Sequence, residues 1–377
     1  MEGDHIKICH WLTPLSWLYG LGVGVRNLLF DCGVLHSESF DVPVICVGNI
    51  TAGGTGKTPH TEYLVRLLSQ KHQTAVLSRG YKRKTSGYVL ATAETPMRDI
   101  GDEPFQMKRK FPSTLVAVDK NRCRGIRQLC AETVQPPVDV ILLDDAFQHR
   151  YVSPGVSILL MDYHRLIYFD KLLPAGRLRE PASSRQRADI VIVTKCPDTI
   201  TPMEERGIAR SLQLQPWQKL FFTTFRYSHL QPFGTDQQLP LSSLKESGKH
   251  VLLLTGIASP QQMEYDLKQY CDFTPIHFSD HHNFSARDLQ QVEQTFVQLC
   301  QKHGAERVMV VTTEKDAARL TACNTQKFTF ADQLYTLPVR VDFLDDSASE
   351  FNQTILDYVQ KNSRNSTLLS RKNAHKA

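Results

Sequence analysis

The feature that most constrains this chain is Gly48-Asn49-Ile50-Thr51-Ala52-Gly53-Gly54-Thr55-Gly56-Lys57-Thr58, which follows an apolar run (44–47) and precedes a helix-period segment (61–69). Strand, glycine-rich loop and helix in that order form a phosphate loop. Its glycines let successive backbone N–H groups turn toward one anion, and the helix N-terminus adds further unpaired donors. Thr51, Ala52, Gly53, Gly54, Thr55, Gly56, Lys57 and Thr58 are the candidate nucleotide-binding residues, with Lys57 near the β/γ-phosphates and the Thr58 hydroxyl toward Mg²⁺. The loop is a variant, because Thr51 stands where the common pattern has its first glycine.

A phosphate loop requires a parallel sheet around it, and the pattern of the chain supplies one. Short apolar runs at 44–47, 74–77, 115–118, 138–143, 157–161 and 190–193 alternate with helix-period segments such as 122–129, as βαβ units do. The run Val140-Ile141-Leu142-Leu143 ends in Asp144-Asp145, the form of a strand that presents carboxylates to a nucleotide-bound metal. Asp144 is the first candidate for Mg²⁺. The polar residues Gln148, His149 and Arg150 leave from the same edge. After a proline- and glycine-containing stretch at 225–240, a second strand–helix series runs through 251–254, 260–270, 275–278, 288–302 and 308–311. The expected organisation is α/β with two α/β/α domains: an N-terminal helix (1–35), a P-loop domain (36–224), a linker (225–240), a smaller domain (241–361) and a basic, solvated tail (362–377).

Residues 11–35 are apolar and aromatic, yet the longest run without a polar side chain, 17–25, has nine residues, far below the ~20 needed to span a bilayer. Thr13 before Pro14 reads as an N-cap and Gly33 as a stop. Gly20, Gly22 and Gly24 suggest close packing, and Trp11, Trp17 and Tyr19 suggest a helix seated in a membrane surface without crossing it. The net charge of +5 suits phosphate ligands or an anionic surface and is too small for a nucleic-acid partner. Nine scattered cysteines with no CxxC pair read as reduced thiols of a cytoplasmic protein, and no obligate protein partner is evident.

The acceptor is suggested by Ile100-Gly101-Asp102-Glu103-Pro104 and Ser279-Asp280-His281-His282, where carboxylates and imidazoles could supply a base for a hydroxyl proton. With Ser78-Arg79-Gly80-Tyr81, Asp144-Asp145-Ala146-Phe147-Gln148-His149, Leu178-Arg179-Glu180-Pro181 and Thr312-Thr313-Glu314-Lys315-Asp316, these segments make nearly the whole chain resemble the tetraacyldisaccharide 4'-kinases of lipid A biosynthesis.

The resemblance implies a membrane-associated kinase at the cytoplasmic face of the bacterial inner membrane, using ATP and Mg²⁺ on the 4'-hydroxyl of an acylated glucosamine disaccharide 1-phosphate. It implies Asp102 as the base with His281 as its partner, and Thr58, Asp144, Asp145 and Glu180 around Mg²⁺. Lys57, Arg122 and Arg179 would neutralise phosphate charge, with Arg124 and Arg127 near enough in sequence to compete with Arg122. Tyr81, Glu103, Gln148 and His149 would touch the acceptor, and the basic stretch 79–84 would meet its 1-phosphate or anionic headgroups unless it is simply an exposed loop. The rival is a variant P-loop ATPase or GTPase without a lipid acceptor. Guanine reading would rest on Thr194-Lys195-Cys196-Pro197-Asp198, where the Asp falls one position late.

Overall fold

The structure, a computed structural model, describes residues 8–374 except 236, 258, 259, 281, 322 and 324, with side chains described as far as residue 362. Strands β1 (Val44–Gly48), β2 (Thr74–Ser78), β3 (Val89–Leu90), β4 (Leu115–Val118), β5 (Val140–Asp144), β6 (Val156–Asp162), β7 (Ile190–Thr194) and β8 (Lys219–Arg226) form a sheet in the order β8-β7-β6-β1-β5-β2-β4-β3. All pairs but β3/β4 are parallel. Every residue of β1, β2, β5 and β7 is buried, so these strands read as unbroken apolar runs rather than alternations. β1 lies between β5 and β6, with Val47 level with Asp144, which sets the glycine-rich loop beside the end of β5.

The second sheet contains β9 (His229–Pro232), β10 (Leu239–Pro240), β11 (His250–Thr255), β12 (Phe273–His277), β13 (Val308–Thr313) and β14 (Leu334–Leu337), in the order β10-β9-β14-β13-β11-β12. Much of the stretch expected as a linker is therefore sheet: β8 runs to Arg226, and β9 and β10 pair antiparallel at the second sheet's edge. Pro232 and Pro240 close these two strands, a place where a missing N–H costs little.

The chain then returns. β15 (Arg340–Phe343) pairs antiparallel with β8, completing a nine-stranded first sheet, and the C-terminal helix Ala348–Ala374 lays Phe351, Ile355 and Val359 on the same core as Ile45, Phe221 and Phe343. Residues 340–359, expected in the smaller domain, thus supply a strand of the first sheet and a helix packed on its core, and the helix backbone continues through the expected tail to Ala374.

Helix α1 (Thr13–Asp31) is capped at Leu12 without a side-chain bond, so Thr13 is helical rather than the expected cap. Ser16 fixes it to the body, donating to Leu172 O at 3.0 Å and accepting from Ala175 N at 2.9 Å. Gly20 meets Leu172, whose Cδ1 would lie 2.7 Å from an added Cβ, whereas Gly22 and Gly24 face open space. Only one of the three glycines serves close packing. Trp11, Leu15, Trp17, Leu18, Leu21 and Leu28 are exposed, and among the described residues no helix is long and apolar enough to cross a membrane.

Candidate active site

The loop after β1 leads into α2 (Lys57–Leu68), and Gly56 at the junction takes φ 83°, a left-handed value that favours glycine. An added Cβ there would also come 2.6 Å from the Phe225 ring. The loop is braced from several sides: Asn49 Nδ2 donates to Thr55 Oγ1 at 2.7 Å, Gln148 Nε2 to Asn49 O at 2.5 Å, and Ala52 N to Arg177 O at 2.7 Å. Thr51 bridges to Leu178, so Thr51 and Ala52 rest on the 177–179 segment. Gly54, Thr55, Gly56, Lys57 and Thr58 line a cleft between the two sheets.

At the end of β5 the two aspartates diverge. Asp144 is buried, and desolvation together with Glu103 and Asp145 pushes its carboxyl up to about 7; Thr61 Oγ1 donates to it at 3.4 Å. Asp145 turns out with φ 48°, its Oδ1 3.6 Å from Lys57 Nζ and its Oδ2 3.4 Å from Arg179 Nη1. Burial would raise its pKa, but Lys57 and Arg179 outweigh burial and hold it below the usual carboxylate range. Arg122 is the arginine at this strand end, with Nη2 3.4 Å from Asp144 O, while Arg124 pairs with Asp119 and Arg127 with Glu38. Glu180 goes elsewhere: Oε2 pairs with Arg187 at 2.5 Å, and Oε1 is buried without a hydrogen-bond partner. Among the described residues no three His, Cys, Asp or Glu side chains converge as on a metal ion. Of the four residues expected around Mg²⁺, Thr58 lines the cleft, Asp144 is buried at the end of β5, Asp145 pairs with Lys57 and Arg179, and Glu180 pairs with Arg187. One or two carboxylates completed by phosphate oxygens and water is what Mg²⁺ asks of a protein, so this donor set fits it.

Across the cleft, the helix Asp102–Lys110 presents its first turn. Asp102 Oδ1 accepts from Glu103 N at 3.0 Å, and Oδ2 accepts from Arg319 Nη2 at 2.6 Å. Glu103 lines the cleft, 3.5 Å from Lys315 Nζ, which also lies 3.7 Å from Asp280 Oδ1. His281 lies outside the described residues. Its neighbour His282 bonds Asp288 at 3.0 Å and stacks on Phe278, a local structural role. Tyr81 is exposed, and its carbonyl packs over Gly101 next to the acidic turn.

Gln148 and His149 do not line the cleft: Gln148 is bonded to the loop at Asn49, and His149 lies beside Arg122 at the end of β5. His149 Nε2 accepts from Arg122 N at 3.4 Å, and burial together with Arg122, Arg26 and Arg79 pushes its pKa down to about 4. In the GTPase-like segment Lys195 lines the cleft but pairs with Asp162 at 2.7 Å, and Asp198 pairs with Arg226.

The cleft also has an apolar wall that sequence reading missed: Phe225, Tyr227, Ile257, Met263, Leu337 and Val339. These come from both units, and two of them fall in the expected linker. No spacing marks them, because the return of the chain assembles them.

A family model described as tetraacyldisaccharide-1-P 4'-kinase (LpxK) matches residues 8–360. The tetraacyldisaccharide 4'-kinase of Phocaeicola vulgatus is 53% identical over 97% of this chain and 99% of its own length. That of Bacteroides thetaiotaomicron is 51% identical over the whole of both chains. Among solved structures, an LpxK from Aquifex aeolicus in complex with ATP is similar at a TM-score of 0.70 and 27% identity, over 93% of this chain and 99% of that one. The chain belongs to the tetraacyldisaccharide-1-P 4'-kinase family.

Proposed function

We propose that the chain transfers the γ-phosphoryl group of ATP to the 4'-hydroxyl of a tetraacylated glucosamine disaccharide 1-phosphate, seated on the cytoplasmic face of the inner membrane. The observation that carries the chemistry is one cleft in which Gly54–Thr58 face Glu103, the neighbour of Asp102, and Asp280. Family membership supplies the acceptor class.

In this reading the loop N–H groups and Lys57 hold the β- and γ-phosphates, and the apolar wall takes the base. Thr58 and Asp144 would hold Mg²⁺, which when bound neutralises charge on the phosphates. Asp102 accepts the 4'-hydroxyl proton, with His281 as its partner. Arg122 and Arg179, at the end of β5, meet charge developing on the transferred group. Glu103 and Tyr81 face the acceptor, while Gln148 braces the loop and His149 accepts from the Arg122 N–H.

The exposed face of α1 supports the membrane seat. An acceptor with four acyl chains leaves a bilayer at a cost of ~0.8 kcal/mol per CH₂, so the enzyme must work at the surface. Incubation with γ-labelled ATP and the tetraacyl disaccharide 1-phosphate should give label on the distal sugar. ATP turnover that is equal with and without acceptor would replace the kinase by an ATPase.

A further inference from the structure

Arg319 belongs to no motif, yet it is among the most buried charged residues, with 2% of its side chain exposed on the helix Glu314–Leu320. Its guanidinium joins the two units. On its own side Nη1 donates to Asp316 Oδ1 at 2.9 Å and to Gly256 O at 3.3 Å. Asp316 is itself fixed, accepting from Gly256 N and Thr313 Oγ1, both at 2.8 Å. On the far side Nε and Nη2 both donate to Asp102 Oδ2, at 3.2 and 2.6 Å.

A planar guanidinium held at one edge can aim its remaining donors in only one direction. We propose that Arg319 is a positioning residue for Asp102: anchored on Asp316, it fixes the orientation of the Asp102 carboxylate when the two units enclose the cleft. The inference rests on the reading of Asp102 as the base. Oδ1 is tied to the Glu103 N–H and Oδ2 to Arg319, so the carboxylate is held at both oxygens and its rotamer is set before the acceptor arrives. The guanidinium also offsets the repulsion expected where Asp102, Glu103, Asp144 and Asp145 gather near incoming phosphates. A second link between the units, Lys110 Nζ at 2.6 Å from Glu62 and 2.5 Å from Glu314, holds the units together at a different place. It separates positioning from simple tethering.

The test uses the full chain with ATP and acylated disaccharide acceptor. Arg319→Met should lower kcat on the order of 100-fold, the loss typical of a misplaced reacting group, while the KM for ATP stays nearly constant. Arg319→Lys should recover part of the rate. In Arg319→Ala, millimolar guanidinium should restore turnover where equal urea does not, a rescue that a merely structural role does not predict. Adding Arg319→Met to Asp102→Asn should cost nothing further, since the two act as one unit.

Lys110→Met should fall well short of the Arg319→Met loss. Equal losses in those two variants, a rise in the KM for ATP with kcat intact, or failure of guanidinium rescue would each overturn positioning in favour of tethering. If Arg319→Met does not fold, Arg319→Lys and the rescue decide. Full activity in Asp102→Asn would instead remove the base reading itself, whatever Arg319 does.

Discussion

Asp144 and Asp145 are adjacent in the chain and opposite in electrostatic state: the first is pushed toward neutrality by burial and neighbouring carboxylates, and the second is held charged by Lys57 and Arg179. Lys57→Ala, Thr58→Ala and Asp144→Asn should therefore each lower kcat/KM by ~100-fold or more, with melting temperatures close to wild type. Near-normal rates in all three would exclude the phosphate-loop assignment. His149 gives a pH test. Its folded-state pKa of about 4 lies below the ordinary 6.5, so the unfolded chain takes the proton first. Stability owed to the neutral ring is then full above pH 6.5 and declines as pH falls toward 4. The difference in urea midpoint between wild type and His149→Asn should shift across that window and level off on either side. No slope in the difference would show that His149 titrates normally. The residues that sequence could name are those whose chemistry is local, such as the loop glycines, Lys57 and Asp144. Arg319 escaped because its meaning depends on Asp102, 217 positions away.

At the scale of elements, α1 makes two kinds of contact. Ser16 and Gly20 face Leu172, Tyr19 Oη donates to Arg179 O at 2.8 Å, and Arg26 donates to Gln148 O at 2.8 Å, while Gly22 and Gly24 touch nothing. Gly22→Ala and Gly24→Ala should each stabilise by ~0.5–1 kcal/mol through helix propensity, read as higher melting temperatures. Gly20→Ala should give no such gain, since Leu172 must move. Replacing Trp17 and Leu21 by Ser should weaken binding to anionic vesicles at least ~10-fold without lowering the melting temperature, because both side chains are exposed. Unchanged vesicle binding would move the membrane contact off this face. Six strands of the first sheet, β1, β2, β4, β5, β6 and β7, were legible because two-sided burial writes continuous apolar runs, whereas the two-residue β3 and the mixed β8 were not read as strands. Nor was β15, since Arg-Val-Asp-Phe is a short alternation whose partner β8 lies more than a hundred residues earlier.

For the whole molecule, the closing of the first sheet by β15 and the C-terminal helix makes the second unit an insertion. Phe351 lies among Tyr63, Phe221 and Phe343, and Phe351→Ala should destabilise by about 3–5 kcal/mol, measured by denaturant unfolding of the full chain. A loss below ~1 kcal/mol would mean that the helix is dispensable to the first sheet. The insertion is attached by two strands lying side by side, and Arg226 is in register with Arg340 at the point where both leave the sheet. A single tether lets a body swivel, but two hydrogen-bonded tethers act as a door hinge with one axis. Phe225, Tyr227 and Val339 lie on or beside that axis and also line the cleft, so a nucleotide base held there would sit at the pivot. The Arg319–Asp102 contact spans the two units, so rotation about the paired strands would change it, with the direction of swing fixed by the chain's own path.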